Sequence, residues 1–360
     1  MPKCGTQCWL CDLPVRFDTY RGCTHACSYC FAQKKRDNAE VCTDETPQAL
    51  WRFIKGERTA ETSWCDWNIP IHWGGMSDPF QPVERRLRRS LDCLKVLAST
   101  RYPFIVSTKG SIIMEPEYTE ILEKCRCVVQ VSAICSSYDR LEPGAPPFEK
   151  RLEVMREVSK AAQRLVVRVQ PFMHGHLDET LESLPLFKEA GAYGIVVEGM
   201  KWSRSGQGLV KVGGDFTYPL DLISRDFARL KEASHANGLR FFAGENRLRA
   251  MGDSLTCCGC EGMEGFVPNT YNLNHILRGD LTKPTPAMLE SGSGAVFTSG
   301  CYQKTTMVRW ARGQTFTHVM SVYAKDNRES VERVLGINEG RRRCRSPTRY
   351  ATTRSRRSGS

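Results

Sequence analysis

A chain of 360 residues, 41% of them hydrophobic, carries enough apolar material for one large core or two modest ones, which excludes an entirely disordered protein. The net charge of +11 is unevenly spread: residues 339–360 hold eight arginines (Arg341, Arg342, Arg343, Arg345, Arg349, Arg354, Arg356 and Arg357) against the single acid Glu339, leaving only +4 for the body. No apolar run is long enough to cross a bilayer, and Met1–Thr6 is polar, so the expectation is a soluble, cytoplasmic protein with no membrane partner.

The chain opens on Cys4-x3-Cys8-x2-Cys11, a short cysteine-rich segment over 1–13. A strand pattern follows over Pro14–Tyr20 and runs straight into Gly22-Cys23-Thr-His-Ala-Cys27-Ser-Tyr-Cys30. Strands and helices then alternate. Ile69–Trp73 reads as a strand ending in Gly74-Gly75, and Glu84–Ser99 as a helix with Leu87, Leu91, Leu94 and Leu97 on one face. Phe104–Ser107 is a strand, Glu117–Lys124 a helix, Val128–Ile134 a strand and Phe148–Ala162 a helix. Leu165–Pro171 is a strand, Leu177–Ala190 a helix closed by Gly191, and Ile195–Glu198 a strand. Gly206-x-Gly208 and Gly213-Gly214 read as loop. Leu220–Asn237 is a helix capped by Gly238, and Arg240–Ala243 the last strand.

This alternation means crossover units and a parallel sheet. Over 14–250 it predicts an α/β fold, a partial (β/α)6-type TIM-like barrel with N- and C-terminal cysteine-rich extensions; a doubly wound open sheet is the competing topology. A cysteine-containing region spans 251–338. The Arg/Ser/Thr-rich tail, 339–360, cannot bury a core and is expected to be disordered. It is either merely solvated or makes a salt-sensitive contact with a polyanion.

Seventeen cysteines, nine of them in the clusters 4/8/11, 23/27/30 and 257/258/260, point to metal or iron–sulfur ligation rather than disulfides in an intracellular chain. Three thiolates on one loop, Cys23, Cys27 and Cys30, can hold three irons of a cubane and leave the fourth open to a small chelating molecule. Tyr29, just before the last cysteine, can pack on a bound adenine. A zinc knuckle assisted by His25 is the alternative, and with it a non-catalytic, zinc-stabilised nucleic-acid-binding protein.

The motif C-x3-C-x-aromatic-C after a first strand resembles the signature of the radical S-adenosylmethionine (SAM) superfamily. That resemblance implies a [4Fe–4S] cluster on Cys23, Cys27 and Cys30, with the methionyl amine and carboxylate of SAM on the unique iron. Reductive cleavage then yields a 5′-deoxyadenosyl radical that abstracts hydrogen from a substrate, with a low-potential donor such as flavodoxin or ferredoxin supplying the electron. Trp73-Gly74-Gly75-Met76-Ser77-Asp78-Pro79-Phe80-Gln81-Pro82 looks like the superfamily's glycine-rich segment, with Met76 where many members have an acid, and Arg140-Leu-Glu142-Pro143-Gly-Ala-Pro146 and Arg151-Leu152 follow the fourth strand. Ser107, Lys109, Ser132, Arg168 and Glu198 fall at successive strand ends and become candidate SAM contacts, Ser132 and Arg168 for ribose and carboxylate; helix caps and loop hydrogen bonds use such residues too. The set, over Pro14–Asn246, is similar to the spore photoproduct lyase-like branch, which brings nucleic acid forward as a substrate class and makes Cys135 a candidate hydrogen donor, or else a core cysteine. The remaining clusters, Cys4, Cys8, Cys11 with Cys257, Cys258, Cys260, are expected to meet around an auxiliary iron–sulfur cluster or a structural zinc; a redox-active or unliganded Cys257–Cys258 pair is the other reading.

Overall fold

The apolar runs Val128–Val131 and Leu165–Val167 are the kind that form strands buried on both faces, and the computed structural model places them at the centre of one sheet. Its described residues are 1–4, 10–32, 42–43, 45–59, 62, 69–269, 272–278 and 324–337. The strands are β1 (Lys3–Cys4), β2 (Val15–Phe17), β3 (Tyr20–Arg21), β4 (Cys42–Thr43), β5 (Ile71–Trp73), β6 (Phe104–Thr108), β7 (Cys127–Ser132), β8 (Arg164–Phe172), β9 (Gly194–Gly199), β10 (Val210–Val212), β11 (Asp215–Thr217) and β12 (Arg240–Ala243). The main sheet runs β1-β2-β5-β6-β7-β8-β9-β12, all parallel except β1.

Neighbours in this sheet are consecutive in the chain, with no reversal of order. A doubly wound sheet has a switch point; this one does not, so it is singly wound, like the wall of a barrel. Among the described residues β12 pairs only with β9, and β2 has β1 on its outer side, so the wall is open. The crossovers carry α1 (Pro47–Ile54), α2 (Glu84–Leu87), α3 (Arg89–Thr100), α4 (Pro116–Leu122), α5 (Phe148–Ala161), α6 (Leu177–Glu189) and α7 (Leu220–Ala236); α8 (Leu273–Arg278) and α9 (Arg328–Val334) follow.

The two-residue side-chain period divides each strand between two cores. Phe104, Val106, Val129, Val131, Val167, Val169, Ile195 and Val197 pack with Leu94, Leu122, Met155, Leu184 and Phe227 from the helices. Ile105, Val128, Val166, Val196 and Phe242 face the other way, into a smaller core. Truncating a buried leucine such as Leu94 to alanine costs about 2–5 kcal/mol.

Three expectations need correction. The first strand stops at Phe17 and a separate two-stranded ribbon, β3–β4, follows. The helix expected over Glu84–Ser99 breaks at Arg88, which has φ +50°. The buried Glu84 carboxylate accepts from Ser90 N–H at 2.9 Å and Leu91 N–H at 2.8 Å, so it caps α3, which the leucine period alone could not reveal. The glycines between β9 and α7 sit in and around a hairpin, β10–β11, with Gly213-Gly214 as its turn. The basic tail and residues 279–323 lie outside the described residues.

Candidate functional site

Parallel strands deliver their C-terminal ends to one edge, and each candidate residue there is held by its neighbours. Asp18, just past β2, accepts from Met76 N–H at 2.8 Å and Ser77 N–H at 3.2 Å, which fixes the glycine segment after β5. Gly74 has φ +86°, and a Cβ there would lie 2.5 Å from the Ser107 carbonyl oxygen, so only glycine allows β5 and β6 to end this close together.

The cysteine loop rests on two turns of its own chain, after β5 and after β7. From one side Gln81, fully buried, accepts from Thr24 N–H at 3.0 Å and donates to the Gly22 carbonyl at 3.1 Å. Asp78 faces His25 Nδ1 at 3.4 Å and accepts from Thr108 Oγ1 at 2.7 Å and Lys109 N–H at 2.6 Å. From the other side Ser28 N–H donates to the Leu141 carbonyl at 2.8 Å, and Gly144 N–H to the His25 carbonyl at 3.0 Å. Tyr29 donates to Glu142, a carboxylate also ion-paired with Arg151 and, at 3.7 Å, with Lys109. Arg151 ties this turn to the sheet by donating to the Ser132 carbonyl at 3.0 Å.

Burial sets the electrostatics. It pushes the Cys23 thiol up to about 12, with Asp78 adding to the effect, and Cys27 up to about 11 against the pull of Lys109. Burial raises Glu142 to about 7 although Arg151 opposes it, and lowers His25 and Lys109. Thiols of this kind ionise when a metal takes the proton's place, so loading releases protons. The donor set, three free cysteines on one loop, suits a cluster with one iron per sulfur and one iron left open.

The inward-facing strand residues form a polar layer beneath this edge. Ser107 Oγ meets His72 Nε2 at 2.9 Å and Gln130 Oε1 at 3.0 Å, and Arg168 Nη1 donates to both Ser107 Oγ, at 3.2 Å, and Gln130 Oε1, at 3.0 Å. Nearer the rim Glu198 accepts from Gln170 Nε2 at 2.6 Å and pairs with Lys201. Ser132 is buried at the end of β7. A cleft of about 670 Å³ opens between the cysteine loop and the ends of β8 and β9, lined by Ser28, Tyr29, Met173, Met200, Trp202 and Arg204.

Cys135 stands apart. It packs with the helix-side core, and its thiol is pushed up to about 12 by burial and a hydrogen bond with Glu179. Cys135, His176 and Glu179 bring donor atoms within 4.8 Å of one another, but Glu179 already accepts from Ser137 N–H at 3.1 Å and Ser136 Oγ at 3.3 Å. At the opposite end of the sheet, Cys11 and Cys257 pack against a core containing Cys258 and Cys260. Cys8 lies outside the described residues; Cys4 ends β1.

Sequence reasoning singled out Tyr29, Gly74, Gly75, Ser107, Lys109, Ser132, Arg168 and Glu198. The structure adds Gln130 and gives contacts to Asp78, Gln81, Glu142 and Arg151, to which the sequence assigned no role. Their signal was present in part: Asp78, Gln81 and Glu142 lie in turns punctuated by Pro79, Pro82 and Pro143, where an acid or amide has loop backbone to satisfy.

No family model matches the chain. It is 26% identical over 215 residues to uncharacterized proteins of Mycobacterium tuberculosis (strain H37Rv) and Mycobacterium bovis, an overlap covering 54% of this chain and 62% of theirs. Among solved structures it is similar to spore photoproduct lyase with bound AdoMet and a dinucleoside spore photoproduct, at 14% identity and TM-score 0.49, over 64% of this chain and 76% of that one. It is also similar to Streptococcus suis SuiB bound to S-adenosylmethionine, at 12% identity and TM-score 0.44, over 64% and 51%.

Proposed function

We propose that the chain is a radical SAM enzyme. The observation that carries the reading is the placement of Cys23, Cys27 and Cys30 on one loop at the C-terminal edge of a singly wound parallel sheet. The donor set fits a [4Fe–4S] cluster with one iron open, and the backbone of the Gly74–Gly75 segment is the contact we assign to the methionyl amine. When bound, the pair supplies an electron and, from SAM, a radical able to abstract hydrogen.

The remaining roles belong to this chain's own side chains. Asp78, Gln81 and Glu142 hold the cysteine loop in place. Tyr29, fixed by Glu142, gives the adenine an aromatic edge. Arg168 offers a half-buried cation to the SAM carboxylate, braced by Gln130 and Ser107, while Ser132, Lys109 and Glu198 complete the polar lining. The cleft bordered by Trp202, Met173 and Met200 takes the substrate. Nucleic acid is the substrate class we favour, because the branch resemblance and the arginine tail both suit a polyanion. Deleting the chain after Gly340 is expected to weaken oligonucleotide binding and flatten its salt dependence. A low-potential flavodoxin or ferredoxin is the expected electron donor. Cys135, on the helix side, is better read as a core cysteine than as a hydrogen donor.

The direct test is anaerobic reconstitution and reduction in the presence of SAM. Release of 5′-deoxyadenosine by the native chain but not by Cys27→Ala supports the reading. A colourless zinc protein indifferent to SAM would instead establish the non-catalytic, nucleic-acid-binding alternative.

A further inference from the structure

The cysteines at the other end of the sheet are not used by this reading, and their surroundings call for an explanation. Cys257, Cys258 and Cys260 belong to a segment that closes the concave face from below. Gln130 Nε2 donates to the Cys258 carbonyl at 3.2 Å, and Arg164, at the start of β8, donates to the carbonyls of Gly259 at 2.7 Å and Glu261 at 3.0 Å. Gly259 has φ +73°, and a Cβ on it would sit 2.6 Å from Val166 Cγ2, so the segment is pressed onto the strands. Cys11 reaches the same small core from the far end of the sequence, with Leu13 beside it.

Buried thiols alone are unremarkable, since cysteine packs well as a small hydrophobe. The charge beside them is the second observation. Arg249 is only 5% exposed, lies in the field of Cys257, donates through Nη2 to Asn246 Oδ1 at 2.9 Å, and leaves its Nε without a hydrogen-bond partner. Asp12, the carboxylate whose field reaches it, is engaged by Asn272 Nδ2 at 2.7 Å and His275 Nε2 at 3.1 Å. Asp12 offsets part of the buried guanidinium's charge, and metal-bound thiolates beside it would offset the rest. Cys257 and Cys258 sulfurs are 4.0 Å apart, and an all-cysteine donor set is the one that iron–sulfur clusters use.

We infer that Cys11, Cys257, Cys258 and Cys260 ligate a second iron–sulfur cluster at the closed end of the sheet. The His72–Ser107–Gln130–Arg168 layer separates it from the cysteine edge, so it does not touch substrate; it ties the first segment of the chain to the segment after β12.

The test uses full-length protein with Cys23→Ser, Cys27→Ser and Cys30→Ser, reconstituted without oxygen, so that its outcome is independent of the first cluster. Iron with equimolar sulfide is expected to remain and to be lost when Cys257→Ser and Cys260→Ser are added. Iron absent from the first variant, iron indifferent to the added substitutions, or one zinc per chain in its place would each overturn the assignment. Because the added serines could unfold the chain, thiol alkylation of otherwise native protein gives a second readout. Cys11, Cys257, Cys258 and Cys260 should be blocked while iron is bound and react once it is stripped, with the buried Cys93 and Cys127 blocked throughout. No difference on stripping would contradict the cluster.

Discussion

The side-chain oxygen of Gln81 accepts from the Thr24 backbone N–H at 3.0 Å, joining the turn after β5 to the middle of the cysteine loop. The same amide donates to the carbonyls of Gly22 and Asp78, both at 3.1 Å, so one fully buried side chain satisfies three backbone groups. Gln81→Leu keeps the bulk and removes all three bonds. Leaving these groups unpaired should cost about 2–4 kcal/mol in total. The midpoint of thermal unfolding should fall by several degrees, and the reconstituted protein should bleach faster in air than the native one. An unchanged bleaching rate would detach Gln81 from the loop's stability.

Gly144 presses on the loop from the other side. Its backbone φ is not in the left-handed region, so alanine is conformationally acceptable there, but the added Cβ would lie 2.1 Å from the Thr24 carbonyl oxygen. Relief has to come from moving one turn away from the other, at about 1–3 kcal/mol. Gly144→Ala should leave the far-ultraviolet circular dichroism unchanged while iron retained per chain drops to half or less. Full retention would show that the two turns can separate without disturbing Cys23, Cys27 and Cys30.

Arg168 is half-buried in the concave layer with its guanidinium on Gln130 and Ser107. A charge-assisted contact to a carboxylate contributes about 1.5–3 kcal/mol, a factor of about 10–150 in affinity. Equilibrium dialysis with SAM should therefore show Arg168→Ala weakened by at least tenfold, with iron content unaltered. Equal affinity would remove the carboxylate contact from the proposal.

Acid sensitivity should carry a contribution from α6. Burial alone would raise Glu179, but hydrogen bonds from Ser137, Cys135 and His176 outweigh it and hold the carboxylate at about 2. A folded-state value below the unfolded one stabilises the fold above the ordinary carboxylate range, and that stability is lost as pH falls from about 4.5 toward 2. Glu179→Gln should make the unfolding midpoint less steep in pH over that window while lowering stability at neutral pH. A slope identical to the native protein's would contradict the assignment.

Much of the fold was readable because buried strands and amphipathic helices leave periodic traces: β6 through β9 and α5 through α7 fall within a few residues of their expected places. What was not readable depended on side chains acting at a distance. The break at Arg88 is made by Glu84 capping the next helix, and α1 was missed although Thr46 caps it by accepting from Ala49 N–H at 3.1 Å, with Pro47 in its first turn. The cysteine spacing named the ligands of the proposed cluster, yet nothing local announces that Asp78, Gln81 and Glu142 fold back onto that loop. Such contacts join residues more than 50 apart in sequence and exist only once β5, β6 and β7 lie side by side.

The central claim is that three thiols leave one iron free for SAM. Electron paramagnetic resonance of the reduced, reconstituted protein, recorded with and without SAM, addresses it most directly, in the variant lacking Cys257 and Cys260 so that one cluster is observed. The account predicts a cubane signal whose shape changes on adding SAM and which disappears in Cys27→Ala. A signal insensitive to SAM, or none from a protein that retains zinc, would contradict it.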